Sequence, residues 1–207
     1  MEVKIDIKKA VVILVFLLLA ACAPARPAAS QPTAAPTQQP TEALTSTPKV
    51  SGIPEETLKN GTYQIDGQTV TLVNGTAEKE AAPGSASKQV TRYLGYALEL
   101  DLNSDGSTDT MFLLQQENGG SGTFYFVTAA LQTPDGFVGT NAVFLGDRIA
   151  PQSLSADPKN PSQCLVNYLD RSPGEPMSSS PTVVVSKAFK FDNGVLVEST
   201  MPAQKAP

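Results

Sequence analysis

The sequence predicts an all-β protein, with a single antiparallel β-sandwich or open barrel after a signal peptide and a disordered tether. Three observations lead to this prediction. Short runs of β-branched and aromatic residues recur beyond residue 60, separated by Gly, Asn, Asp and Pro. No stretch in that part of the chain repeats apolar residues at the helical period of 3.6. Residues 50–207 also have the length of one domain and show no internal repeat.

Residues 1–21 are predicted to be a signal peptide. Three lysines precede the apolar run Ala10 to Ala21, which is shorter than the ~20 residues that a membrane-spanning helix needs. The run ends in small residues directly before Cys22, and this segment resembles the bacterial lipobox. The resemblance implies that Cys22 is the acylated first residue of a lipoprotein. The alternative is an ordinary secretory signal that happens to be followed by a cysteine.

Residues 22–49 are predicted to be the lipidated cysteine and a disordered linker. The stretch is rich in Pro, Thr, Ala and Gln and contains few large apolar side chains. Such a composition cannot bury enough surface to fold, and its prolines favour an extended chain. We therefore expect a domain held on the bacterial cell envelope by a membrane lipid anchor, facing the periplasm or the exterior.

The composition excludes several classes of function. The chain has no histidine, which removes Ser-His-Asp and Cys-His catalytic sites and the commonest zinc ligand. Cleavage before Cys22 removes three lysines and two acidic residues, so the formal charge moves from −5 to −6. An acidic chain without a basic stripe is not expected to bind nucleic acid. Cys164 lies in an apolar strand-like run and is predicted to be a buried apolar residue.

The predicted elements follow one another with clear turn signals. A short helical turn is expected near residues 51–60. Asp66-Gly67 then separates two β-prone runs, as in a type I′ hairpin. In the next strand Tyr96, Leu98, Leu100 and Leu102 alternate with polar or small residues, which predicts one buried face. Two later runs, 110–116 and 122–131, are apolar on both faces and are placed centrally in a sheet. Four more strands are expected at 141–147, 164–170, 182–191 and 194–199.

The loop after the alternating strand has the oxygen-rich spacing of a calcium loop. Carboxylate or amide oxygens fall at its positions 1, 3, 5 and 9, glycine at position 6, and position 7 offers a backbone carbonyl. Phe112 stands where an EF-hand needs its closing glutamate, so an EF-hand is excluded. The loop resembles the strand–loop–strand calcium units of extracellular repeat proteins. The expected cofactor is a structural Ca²⁺, and the alternative is a metal-free Asx turn. The expected ligands are Asp101, Asn103, Asp105, Ser107 and Asp109.

A second candidate site is a pocket near the ends of two later strands. Two Asp-Arg pairs occur there, and they are expected either to form ion pairs at loop ends or to line an anionic-ligand pocket. An acidic residue beyond the second pair offers a conceivable carboxylate couple for a hydrolase. The residues of this possible pocket are Asp147, Arg148, Asp170, Arg171 and Glu175.

Residues 60–200 resemble a group of uncharacterised bacterial secreted or lipoprotein β-domains. The shared segments read APGSASK, DLNSDG, GGSGTFYFV, GTNAVFLGDRIAPQ and NYLDRSPGEPM. The resemblance implies common descent and carries no assigned activity. From the residues themselves we expect a membrane-tethered envelope lipoprotein whose β-domain binds an envelope partner or ligand. The alternative is a cell-envelope hydrolase that acts on glycan or peptide without histidine.

Overall fold

The computed structural model describes residues 52–200, so the predicted signal peptide, Cys22 and the linker lie outside the described residues. Within this range no helix is long and apolar enough to cross a membrane. The elements are α1 (Glu55–Leu58), β1 (Thr62–Ile65), β2 (Gln68–Thr71), β3 (Thr76–Glu80), β4 (Lys88–Leu100), β5 (Asp109–Glu117), β6 (Phe124–Thr133), β7 (Gly136–Gly139), β8 (Val143–Asp147), β9 (Ala150–Asp157), β10 (Asn160–Asp170), β11 (Val183–Asp192) and β12 (Val195–Ser199).

The strands form three antiparallel sheets, which confirms the all-β prediction. The large sheet has the order β3-β4-β5-β6-β7, and β8 pairs with the other end of β6. The small sheet has the order β12-β11-β10-β9, and β1 pairs with β2 in a separate hairpin. The described residues contain no closed barrel, because the two larger sheets face each other as a sandwich.

The sandwich core lies between the large and small sheets. Met111 and Leu113 on β5 face Cys164 and Phe189 of the small sheet, and all four are fully buried. Each strand therefore contributes alternate residues to this core, as the period of two requires.

A second core lies on the opposite face of the large sheet. Phe112 and Leu114, the residues that alternate with the sandwich residues on β5, pack under Leu58 of α1 and Tyr63 of β1. The rings of Tyr63 and Phe112 meet edge-on with centroids 5.2 Å apart. The β1–β2 hairpin is thus a third layer, and it explains why β5 is apolar on both faces.

The turn chemistry predicted for the first hairpin is confirmed. Asp66 and Gly67 have φ values of 49° and 73°, and Ile65 pairs with Gln68 across them. A type I′ turn needs positive φ at both central positions, which glycine and aspartate tolerate better than other residues.

Three features differ from the sequence prediction. Tyr96 is 41% exposed, because a bulge at Gly95 and Tyr96 breaks the alternation that was expected to bury it. The charged segment Glu78–Glu80, for which no strand was predicted, belongs to edge strand β3. Strands β7 and β9 were not predicted, since their glycine, proline and serine content hides a strand pattern.

Residues 140–142 join all three layers of the fold. Gln64 of the hairpin donates its N–H to the Thr140 carbonyl at 3.1 Å, and its own carbonyl accepts the Ala142 N–H at 2.6 Å. The Asn141 side chain donates to the Leu196 carbonyl at 2.8 Å and accepts the Leu196 N–H at 2.7 Å. One amide side chain therefore satisfies both backbone groups on the outer edge of β12. We call residues 140–142 the junction.

Replacing Asn141 with alanine is expected to destabilise the protein by about 1–3 kcal/mol, because it leaves partly buried backbone groups of Leu196 without partners. Urea unfolding followed by circular dichroism measures this change. The matched control is Asn167→Ala, whose partly exposed side chain bonds to the Ser153 hydroxyl at the surface and whose loss should cost less than about 0.5 kcal/mol. Equal effects of the two substitutions would contradict the role given to the junction.

Candidate functional site

The oxygen-rich loop connects β4 to β5 at one end of the sandwich. Asn103, Ser104, Asp105 and Gly106 are exposed. Ser104 and Gly106 have φ values of 61° and 87°, so the chain turns sharply at both positions. The loop side chains are consequently close to the backbone of their own turn.

The loop is held together by hydrogen bonds from backbone amides to side-chain oxygens. The two carboxylate oxygens of Asp101 accept the N–H groups of Asp105 at 3.2 Å and Gly106 at 3.0 Å. The Asn103 side-chain oxygen also accepts from the Asp105 N–H, at 3.1 Å. Asp105 accepts from the Ser107 N–H at 2.7 Å and from the Asn103 side-chain amide at 2.8 Å. The structure therefore brings the first four predicted ligands into one hydrogen-bonded turn.

Asp109 points into the protein instead of into the loop. Its side chain is fully buried, and its two oxygens accept the N–H of Leu102 at 3.0 Å and of Gln132 on β6 at 2.8 Å. One carboxylate thus ties the end of the loop to the neighbouring strand. Burial of Asp109 raises its pKa. The hydrogen bonds from backbone N–H groups lower the pKa in part, and the nearby Asp105 charge raises it.

The loop oxygens suit a hard cation in kind, since calcium prefers carboxylate, amide and carbonyl oxygen. Each carboxylate oxygen has two lone pairs, so those of Asp101 that accept one N–H retain another. Among residues 52–200, however, no three acidic or cysteine side chains lie close enough together to hold a metal ion. The hydrogen bonds of the loop are those of an Asx turn.

The second candidate cluster is assembled around Arg171. Its guanidinium donates to the backbone carbonyls of Ser179 at 2.7 Å, Arg148 at 3.0 Å and Asp147 at 3.4 Å. These contacts fasten the loop after β10 to the turn between β8 and β9. The two predicted arginines are therefore in contact. The contact is a hydrogen bond from the Arg171 side chain to the Arg148 backbone carbonyl.

The acidic members of this cluster bind backbone amides. Asp147 accepts the Thr123 N–H at 2.9 Å, Asp170 accepts the Arg171 N–H at 2.7 Å, and Glu175 accepts the Ser172 N–H at 2.8 Å. The Asp147 carboxylate also lies 3.4 Å from the Arg148 guanidinium. The carboxylates hence stabilise loop ends, and no hydrogen bond joins one acid to another.

Arg148 is held less completely than Arg171. It has a φ of 51°, a left-handed conformation that is uncommon for a residue with a side chain. Its terminal nitrogens lie at 3.5 Å from the Met177 carbonyl and 3.4 Å from the Ser121 hydroxyl, both long contacts.

The structure also gathers polar residues that the sequence reasoning missed. On β5 the sandwich face changes from buried Met111 and Leu113 to the partly exposed Gln115 and Glu117. Arg92 on β4 and Tyr125 on β6 stand opposite Gln115. The available signal was the change from apolar to polar residues near the end of β5. We call Arg92, Gln115, Glu117 and Tyr125 the polar row.

Cys164 is a free, fully buried cysteine on β10, as predicted. Burial raises the pKa of its thiol to about 12, so the reactive thiolate is scarce at neutral pH. Cys164 therefore acts as a core residue.

No protein-family model matches this chain, and neither curated proteins nor solved structures provide a match.

The pKa values of Asp105 and Asp109 are expected to lie on opposite sides of the usual value of 3.8. Hydrogen bonds, first from the Ser107 N–H, lower the pKa of Asp105, whereas burial raises that of Asp109. The stabilising contribution of Asp105 is lost as the pH falls through its lowered pKa. That of Asp109 is present at low pH and is lost as the pH rises through its raised pKa. Carbon-13 NMR titration of the carboxyl groups measures both; a midpoint for Asp109 below that of Asp105 would contradict the geometry.

Proposed function

We propose that the protein is a membrane-tethered envelope lipoprotein whose β-domain binds a partner or ligand and does not catalyse a reaction. One observation carries this choice between a binding domain and a hydrolase. In the candidate pocket each of the three carboxylates accepts a backbone N–H, and Arg171 donates to three backbone carbonyls. These side chains therefore serve as structural fasteners of the loops.

A hydrolase would require a different arrangement of the same residue types. A general acid or base must reach the proton that it transfers, and a nucleophile needs an adjacent activating base. In the absence of any histidine in the chain, that work would fall to carboxylates or lysines. The carboxylates of the pocket already accept hydrogen bonds from the backbone beside them, which favours the binding function.

The proposed anchor is supported by the order of features at the start of the chain. Lysines, a short apolar run, small residues and Cys22 occur in the sequence expected of a lipoprotein signal. Several acyl chains on Cys22 would hold the protein firmly, while a single chain binds a membrane only marginally. The Pro- and Thr-rich segment up to residue 49 would separate the domain from the lipid surface.

Calcium binding by the loop is a separate part of the proposal. Asp101, Asn103, Asp105 and the Ser107 carbonyl supply oxygen donors on one turn, and Asp109 anchors its end. A bound cation would relieve repulsion between Asp105 and Asp109, whose charges interact. Its role would be to stabilise the β4–β5 connection.

The anchor predicts that Cys22→Ser moves the protein from the membrane fraction to the soluble fraction, since the substitution removes the thiol that is acylated. Fractionation of cells followed by immunoblotting measures the distribution. Cys164→Ala is the matched control, because it removes the other cysteine and should leave the protein in the membrane. Retention of the Cys22→Ser protein in membranes would rule out the lipid anchor.

Calcium is expected to raise the melting temperature of the full chain, because an ion that binds only the folded state stabilises it. At a hundredfold excess over the dissociation constant the stabilisation is about 2.7 kcal/mol, or about 5–10 °C for a domain of this size. Asp105→Ala should abolish the shift, and Asp135→Ala, at another exposed turn, should retain it. Equal melting temperatures in calcium and in chelator would exclude the ion.

A further inference from the structure

We propose that the open end of the sandwich binds a neutral oligosaccharide, with the polar row as the floor of the site and Tyr96 as its wall. This inference rests on the proposed binding function and names the chemical class of the ligand. The site comprises Arg92, Tyr96, Gln115, Glu117 and Tyr125, none of which belongs to the calcium-type loop or to the Arg171 cluster.

The floor is a part of the large sheet that the small sheet leaves uncovered. Leu113 pairs with Val127, and both are fully buried in the sandwich core. Two residues further along the same strands, Gln115 pairs with Tyr125, and both side chains are partly exposed. The same face of the sheet thus passes from core to solvent within one step of its two-residue period.

The polar groups of the floor are planar and balanced in charge. The Arg92 guanidinium lies 3.3 Å from the Glu117 carboxylate, and Gln115 donates to the other Glu117 oxygen at 3.1 Å. The side chains of Arg92 and Glu117 remain 43% and 41% exposed, so each keeps hydrogen-bonding capacity towards solvent. An ionic ligand would have to break the pair, whereas a hydroxyl group can donate to Glu117 and accept from Arg92 together.

Tyr125 adds a hydroxyl and an aromatic surface to this floor. Burial is the main cause that raises the pKa of Tyr125. The Tyr96 hydroxyl and the carboxylates of Asp147 and Glu117 raise it further. The phenol is therefore neutral at physiological pH, and its hydroxyl can both donate and accept a hydrogen bond. The strand register sets Tyr125 opposite Gln115, whose side chain bonds to Glu117. It also sets Gly95, the residue before Tyr96, opposite Leu113, two residues from Gln115 on β5.

Tyr96 forms the wall, and its backbone has a conformation that is unfavourable for a residue with a bulky side chain. Its φ is 56°, a value at which a bulky side chain is a genuine outlier, and Gly95 before it has a φ of 89°. The Tyr96 hydroxyl donates to the Pro151 carbonyl of β9 at 3.3 Å, while the residue stays 41% exposed. Backbone strain of this kind costs about 1–3 kcal/mol and is concentrated at functional sites.

A sugar ring matches this combination of groups. The faces of a pyranose carry C–H groups that pack on an aromatic ring, and its rim carries hydroxyls that pair with planar polar side chains. The amphipathic rings of Tyr96 and Tyr125 and the polar groups of Arg92, Gln115 and Glu117 offer both kinds of contact. The balanced ion pair and the acidic chain favour a neutral sugar over a uronic acid.

The test is an NMR titration of the purified protein with cellohexaose and with chitohexaose, which represent plain and N-acetylated neutral glycans. Binding of either sugar should shift amide resonances of the polar row and of Tyr96, and an oligogalacturonate should bind at least about tenfold more weakly. Shifts confined to other surfaces, no saturable binding of either neutral sugar, or preference for the oligogalacturonate would overturn the site.

Variants at position 96 separate a binding role from a structural one. Tyr96→Gly should weaken sugar binding about tenfold through loss of the ring contact, with an unchanged or higher melting temperature because glycine relieves the left-handed strain. Tyr96→Asn, which also tolerates this conformation, is the second variant if the glycine variant folds poorly. Phe144→Ala, an exposed aromatic residue that packs with Phe126 on the other face, is the control and should bind normally. Unchanged binding by both position-96 variants would overturn the inference.

The solution titration does not depend on lipid attachment. A failed titration therefore removes the sugar site alone, whereas the anchor proposal is decided by the fractionation of the Cys22→Ser protein.

Discussion

The three layers of this domain depend on a short segment of irregular backbone, the junction at residues 140–142. Antiparallel strands satisfy one another's backbone hydrogen-bonding groups within a sheet, but this pairing does not fix the position of one sheet against the next. Here the Thr140 carbonyl and Ala142 N–H hold Gln64 of the hairpin, and the Asn141 side chain holds Leu196 of the small sheet. Gly139 precedes the junction because a Cβ there would lie 2.0 Å from the Thr62 carbonyl oxygen. Close approach of β1 and β7 thus requires a residue without a side chain.

Ionisable side chains in the two predicted sites follow a common principle, which is that they complete the hydrogen bonding of irregular backbone. Asp109 accepts two amides from separate segments, and Arg171 donates to three carbonyls of neighbouring loops. Buried or partly buried backbone groups need such partners wherever a strand ends. The polar row differs because its charged groups bond to side chains and stay more exposed, at 43% and 41%, than the Arg148 and Asp147 pair, at 30% and 23%. This difference makes the polar row the better candidate for recognising a ligand.

Much of the fold was predictable because it depends on local signals. The Asp66-Gly67 turn, the central position of β5 and β6 and the burial of Cys164 follow from turn chemistry and apolar pattern. The third layer was not predictable, since it depends on contacts between segments distant in sequence. Strands β7 and β9 pair with their neighbours in the chain, but their glycine, proline and serine content hides a strand pattern. The loop residues from Asp101 to Ser107 were grouped correctly as neighbours, but the inward turn of Asp109 depends on Gln132 of another strand. The exposure of Tyr96 likewise follows from a bulge, and the alternation of polar and apolar residues in the sequence does not indicate that bulge.

The position of Asn141 in the chain has a consequence for the order of folding. Its partner Leu196 lies 55 residues away, whereas the hairpins on either side form between near neighbours. Closing such a long loop costs entropy before its hydrogen bonds and core contacts repay that cost. We therefore expect the two sheets to form first and to dock afterwards, with docking of the small sheet as the slow step of folding. Chains in which distant pairings dominate fold in milliseconds to seconds, the range expected of this domain.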